Sequence, residues 1–229
     1  MGTLLLEGGC EFQGKMEDPD REALALAGGK NANVVIIPTA AAADDNSKRA
    51  GNTAVKWFRT LGAKNISALP IIDKKSADDP ELSAELDHST LIYILGGFPG
   101  YLYDTLKETR SLDALLRAYE KGAILAGSSA GAMVLCEWYF DPAVKKITKG
   151  VGILKDTILI PHHDTFGHSW HSLYFDKISD IRCVGIDEQT GMINQDGNHR
   201  WTVYGKGRVT VYFKSIVITY GAGKTFQYE

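Results

Sequence analysis

The chain has little with which to staple itself: its 229 residues hold only three cysteines, Cys10, Cys136 and Cys183. They are odd in number and far apart, which fits neither a disulfide framework nor a zinc ribbon. They suggest a reducing compartment, with the cytoplasm as the default. A surplus of charge is missing too. The 25 Lys and Arg against 28 Asp and Glu leave a net charge of -3, so there is no basic footprint for nucleic acid and no basic amphipathic stretch for a membrane surface. Long apolar runs are absent, and Val34–Ile37 and Leu91–Leu95 are far too short to span a bilayer. The amino terminus has no positive region before Glu7 and reads as a first strand, not as a signal peptide. No repeat, low-complexity tract or linker divides the chain, so residues 1–229 are expected to form one domain. A chain of this length buries enough surface to need neither disulfides nor a structural metal.

What is present is a regular alternation. Strand-like runs at Thr3–Leu6, Asn33–Pro38, Ile66–Ile71, Thr90–Leu95 and Gly122–Ala126 are separated by stretches with helical spacing. Those are Arg21–Ala27, Asn46–Leu61, Pro80–Leu86, Gly100–Lys107 and Leu112–Glu120. Apolar strands between helices predict an α/β fold, a doubly wound and mostly parallel sheet flanked by helices, through about residue 137. The last third differs. Arg182–Ile186, Thr190–Asn194, Arg200–Tyr204, Arg208–Phe213 and Ile216–Tyr220 are short β-like runs split by turns, which predicts an antiparallel β extension.

The sharpest motif is Gly127-Ser128-Ser129-Ala130-Gly131, in which a buried strand runs into Gly-x-Ser-x-Gly and a helix-forming stretch, Ala132–Trp138, follows. That context is a nucleophile elbow, whose strained turn needs small neighbours. Ser129 holds the central position, with Ser128 as its rival. Gly96-Gly97 closes another predicted strand, so the backbone N–H groups of Gly97 and Ala130 are candidates for an oxyanion hole.

Serine needs a base, and four of the six histidines lie between His162 and His171. His162 and His163 both follow the strand-like run Thr157–Ile160 and are both candidates. Asp141, Asp156, Asp164, Asp187 and Glu188 are all available to orient the imidazole, and position slightly favours Glu188, just past a predicted strand. A metal reading of His162, His163, Asp164, His168 and His171 competes, although no His-x-x-x-His or Cys-x-x-Cys pattern supports it.

With these residues in hand, the chain resembles the cyanophycinase and dipeptidase E family of serine peptidases. The resemblance runs through Gly8-Gly9, Ile36-Ile37-Pro38-Thr39-Ala40, Gly96-Gly97, Gly127–Ala132, Pro161-His162 and Gly185–Thr190. Its elbow and its last segment are the specific markers. The resemblance implies a core similar to class I glutamine amidotransferases, with Ser129 as nucleophile, His162 as base, Glu188 as orienting acid, and Gly97 and Ala130 at the oxyanion hole. The Gly-Ile-Asp-Glu segment is closer to cyanophycinases, and the short length is closer to dipeptidase E. Two departures bear on substrate. Phe98 stands where the family usually has Asn or Asp, and no arginine lies between His162 and Lys177, where relatives meet substrate carboxylates. Phe98 and His163 are then the expected substrate contacts, and Phe166 and Trp170 offer an aromatic pocket.

The expected activity is hydrolysis of a peptide or isopeptide amide bond without a cofactor, with a homodimer left open. Two alternatives remain: a catalytically silent relative that binds a peptide or metabolite in the cleft, and a metal-dependent hydrolase using the His162–His171 cluster.

Overall fold

Three consecutive leucines cannot all face one side of a strand, so Leu4, Leu5 and Leu6 demand cover on both faces of their sheet. The computed structural model, which describes residues 2–170, 180–195 and 200–227, supplies that cover. The first part of the chain runs β1 (Thr3–Glu7), α1 (Glu17–Leu26), β2 (Asn33–Ile37), α2 (Ser47–Thr60), β3 (Asn65–Ala68), α3 (Lys74–Ala77) and α4 (Pro80–Asp87). It continues through β4 (Leu91–Ile94), α5 (Pro99–Leu106), α6 (Arg110–Glu120), β5 (Ile124–Ser128) and α7 (Ala130–Leu135). Then come β6 (Cys136–Asp141), β7 (Lys146–Lys149), β8 (Leu154–Ile160), β9 (Arg182–Ile186), β10 (Thr190–Asn194), β11 (Arg200–Gly205), β12 (Arg208–Phe213), β13 (Ile216–Gly221) and β14 (Thr225–Gln227).

One eight-stranded sheet has the order β14-β11-β10-β1-β5-β4-β2-β3. Its members β1, β5, β4, β2 and β3 are parallel, while β10, β11 and β14 extend it antiparallel. Side chains alternate between two cores. Leu5, Val34, Ile36 and Tyr93 pack under α1 and α2 with Ala23 and Phe58. Leu4, Leu6, Val35, Ile37 and Ile92 pack on the other face with Leu102, Leu115 and Val134 of α5, α6 and α7. Each such fully buried leucine or isoleucine contributes about 1.5–3 kcal/mol relative to exposure. The parallel core with its antiparallel late strands is as the patterning predicted. Among the described residues no helix is long and apolar enough to cross a membrane.

Two details differ from expectation. The helix after the elbow ends at Leu135 instead of continuing to Trp138, because Cys136 turns extended (ψ 166°) and starts β6. Trp138, Tyr139 and Phe140 prefer a pleated surface, where they pair with β7 and β8. The late strands also do not stay together. β9, β12 and β13 join β6, β7 and β8 in a second, six-stranded sheet of order β13-β12-β9-β8-β6-β7, in which β6, β8 and β9 run parallel. Leu159, Val184 and Val209 of that sheet share the core of α5, α6 and α7.

The α1/α2 face holds an unusual buried group. Glu7, at the end of β1, and Asp20, in α1, are both fully buried. Tyr93 donates its hydroxyl proton to Glu7, and Trp57 Nε1–H donates to Asp20 Oδ2 at 2.8 Å. Burial, then the neighbouring Asp20, pushes the Glu7 carboxyl well above the carboxylate range, and burial pushes Asp20 up to about 7. Two adjacent buried carboxyls cannot both ionise cheaply, so the pair retains a proton. The folded chain therefore binds more protons than the unfolded chain between about pH 4 and pH 7, and stability falls as pH rises through that window. Asp20→Asn keeps an acceptor for Trp57 and offers Glu7 a donor. It is expected to stabilise the fold at pH 8 by about 1–3 kcal/mol, with little gain at pH 4. Urea unfolding at the two pH values checks this, and an equal effect at both would contradict it.

Candidate active site

A parallel sheet gathers the loops that follow its strands along one edge. Here the adjacent strands β1, β5 and β4 end together. The segment Gly8–Glu11, the elbow at Ser129 and the Gly96-Gly97 pair therefore meet at one rim. In the second sheet β8 and β9 run parallel with Ile160 opposite Gly185, so their following residues, His162 and Glu188, also meet. Each sheet contributes one half of the site.

Ser129 sits at φ 47°, ψ -112°, a conformation that non-glycine residues rarely adopt. Its N–H donates to Glu7 O at 3.0 Å and its carbonyl starts α7 by accepting from Met133. The small neighbours are required by contact. A methyl group on Gly127 would lie 2.6 Å from the Gly131 carbonyl carbon, and one on Gly131 would lie 2.3 Å from Ile94 O.

Ser129 Oγ lies 3.1 Å from His162 Nε2, and His162 Nδ1 lies 2.9 Å from Glu188 Oε1. An Nδ1–H donated to the carboxylate leaves Nε2 unprotonated toward the serine hydroxyl, the tautomer a base needs. The imidazole is held by its backbone as well as its ring. His162 N–H donates to Gly8 O at 2.7 Å. Gly9 lies so close to the ring that a Cβ there would be 2.2 Å from Cε1. Phe166 stacks on the other side, with centroids 4.8 Å apart at 26°.

Glu188 is tied down at both ends. Its N–H donates to Asp164 Oδ1 at 2.8 Å, and its second oxygen, Oε2, lies 3.0 Å from Cys10 Sγ. The Cys10 thiol and then His162 hold the Glu188 carboxyl below its usual range. Burial, reinforced by the same carboxylate, pushes the thiol up to about 11, so it stays a donor. Cys10→Ala is expected to lower turnover about threefold to tenfold, while Cys10→Ser, which keeps a donor, recovers most of it. Steady-state kinetics on the two variants test this.

Among the other expected site residues, Gly97 adopts φ +141°, with Ala40 O where a Cβ would go. No backbone hydrogen bond from the N–H of Gly97 or Ala130 is found among the described residues. Phe98 follows at the start of α5 with 46% of its surface exposed. His163, expected at the substrate, is instead turned into the second sheet. Its Nδ1 faces Asp187 Oδ1 at 3.4 Å and its Nε2 the Tyr212 hydroxyl at 2.8 Å, leaving its side chain 11% exposed. Neighbouring residues on a loop leaving a strand diverge, and Gly185 makes room for this ring. Of the rival acids, Asp141 accepts from Ala143 N–H, Asp187 accepts from Arg208 N–H, and Asp164 accepts from Glu188 N–H. Trp170 packs on Phe140 and on Phe166, which is itself 54% exposed.

For a metal, the described residues contain no group of three His, Cys, Asp or Glu side chains arranged as ligands. His168 Nδ1 faces Thr165 O at 2.6 Å, and His171 lies outside the described residues. Sequence reasoning overlooked two neighbours of the site, Cys10 beside Glu188 and Glu11, whose Oε1 accepts the Gly96 N–H at 2.6 Å. The signal was the Gly8-Gly9 pair closing the first strand, which announces a backbone approaching something closely.

Comparison with known proteins agrees with this arrangement at the level of family and fold. The model of "Peptidase family S51" matches residues 4–201. A cyanophycinase of Synechococcus elongatus is 32% identical over 226 residues, covering 92% of this chain and 67% of the relative. A cyanophycinase of Geminocystis herdmanii (strain PCC 6308) is 26% identical over 220 residues, covering 91% and 79%. The crystal structure of a peptidase from an acI-B1 actinobacterium superposes with a TM-score of 0.90 at 27% identity, covering all of this chain and 97% of that one.

Proposed function

Because the chain belongs to peptidase family S51, a family of serine peptidases, we propose that it hydrolyses a peptide or isopeptide amide bond through an acyl-enzyme on Ser129. His162 takes the serine proton as Oγ attacks the carbonyl carbon, then gives it to the departing amine. Glu188 keeps the ring in its working tautomer and stabilises the imidazolium that forms. The N–H groups of Gly97 and Ala130 receive the developing oxyanion. Water then repeats the sequence on the ester, with His162 again as base. The two sheets act as one catalytic domain in this reading, since neither alone carries a base and a nucleophile.

The observation that carries the reading is the continuous Ser129–His162–Glu188 chain of contacts at 3.1 and 2.9 Å. The substrate side is drawn from what borders it. Phe98, exposed next to Gly97, is assigned to a substrate side chain. With no arginine between His162 and Lys177, preference for an acidic residue at the cleavage site is not expected. A fluorophosphonate probe tests the nucleophile: the wild type takes one label and Ser129→Ala takes none. Equal labelling of both proteins would rule this serine out. An unlabelled wild type that cleaves no peptide yet binds one tightly would favour the silent-binder alternative.

A further inference from the structure

We propose that Glu11 is a positioning residue for the oxyanion side of this site: by accepting the Gly96 N–H it fixes the Gly96-Gly97 turn so that the Gly97 N–H is presented to the reacting carbonyl oxygen. The inference rests on Ser129 being the nucleophile and deepens that reading.

The argument begins with the backbone. A chain leaving a parallel strand loses its ladder partners, and each N–H must find a new acceptor or face solvent. After β4 the successive amides are settled differently. Gly96 N–H donates to Glu11 Oε1 at 2.6 Å, and Phe98 N–H donates to Ala40 O at 2.9 Å. The amide between them, Gly97, has no backbone acceptor among the described residues. Pinning both neighbours leaves that one donor free of a backbone partner among the described residues.

The turn also lies directly against the nucleophile. A Cβ built on Gly96 would be 2.9 Å from Glu11 Oε1 and 3.1 Å from Ser129 Cβ. Neither Gly96 nor Gly97 has room for a side chain, so nothing but an external acceptor can hold the turn by polar contact. A side-chain carboxyl oxygen is such an acceptor. Keeping it there has a cost, because burial pushes the Glu11 carboxyl up to about 7 while the Gly96 N–H pulls it down. A carboxyl group kept at this rim against that penalty is a candidate for function. Glu11 is also delivered by the same short segment that reaches the rest of the site. Glu7 O takes the Ser129 N–H, Gly8 O takes the His162 N–H, and Cys10 meets Glu188.

The test compares second-order rate constants for fluorophosphonate labelling, a reaction whose phosphoryl oxygen occupies the oxyanion position, in wild type, Ser129→Ala, Glu11→Gln, Glu11→Asp and Glu11→Ala. Glu11→Ala is expected to label about 10- to 100-fold more slowly, part of the loss seen when a donor is removed outright. Glu11→Gln is expected to return to within about threefold of wild type, since its amide carbonyl accepts the same N–H. Glu11→Asp, charged but too short to reach, is expected to stay slow. Should Glu11→Ala not fold, the Gln and Asp variants still decide the matter. Wild-type rates in Glu11→Asp, or a Gln variant as slow as the Asp variant, would overturn the proposal while leaving the nucleophile intact. Equal labelling of wild type and Ser129→Ala would remove the underlying reading, and this inference with it.

Discussion

Ser129→Ala is expected to reduce kcat about 10⁶-fold on any peptide that the wild type cleaves, with KM little changed. The reason lies in what the hydroxyl does and does not hold. Oγ meets His162 Nε2 at 3.1 Å, whereas the elbow itself is pinned through main-chain bonds from Ser129 N–H to Glu7 O and from Met133 N–H to Ser129 O. Removing the oxygen therefore removes the reacting atom and leaves the turn in place. The variant should fold, bind substrate and keep only the roughly 10³–10⁴-fold residual advantage over water that binding and the oxyanion donors supply. Single-turnover kinetics with unchanged thermal melting is the measurement. A loss below a hundredfold would mean that another group attacks the carbonyl.

Glu188→Gln carries the second largest expectation, a fall in kcat of about 10⁴-fold. Glutamine matches the size of the carboxylate, so packing against Cys10 and His162 should survive. Its amide, however, can turn an N–H toward His162 Nδ1. The ring then carries its proton on Nε2, facing the serine with a donor where an acceptor is needed. The imidazolium formed during attack also loses its counter-charge, which the native site preserves because Cys10 and His162 hold Glu188 ionised. Comparison of kcat in Glu188→Gln and Glu188→Ala, each with KM measured, separates tautomer choice from simple loss of packing. A change under tenfold in both would transfer the orienting role to another acid.

Much of the architecture was open to reading because burial leaves a local trace. Val34–Ile37 and Leu91–Ile94 are uninterrupted apolar strands, which only a sheet covered on both faces tolerates. Elements governed by partners outside their own segment were harder. Ala132–Trp138 has helical composition, yet from Cys136 onward it is drawn into β6 by pairing with the strands that follow it, β7 and β8. The four-residue helix α3 has no periodicity to detect and depends on the Asp73–Ser76 capping box. Nor could spacing foretell that β9 and β10, three residues apart, would enter different sheets.

The site divides along the same line. Gly127–Gly131 is a local device, in which glycine and alanine permit the turn and the serine occupies its tip, so the motif was legible without a fold. Residue pattern alone left His162 and His163 both open, and only the family resemblance named His162, since adjacent residues of identical type differ only in the direction each ring takes. Tertiary structure sends one toward Ser129 and the other to Asp187 and Tyr212. Glu188, likewise, comes to lie against His162 because β8 and β9 run side by side. Cys10 and Glu11 had only the indirect signal of the Gly8-Gly9 pair before them, because a thiol or a carboxyl group takes its partners, here Glu188 and the Gly96 N–H, from distant parts of the chain. Chain-local chemistry, in short reach and small side chains, is written in the order of residues, whereas partnership across sheets is decided by strand order and register, which no single segment contains.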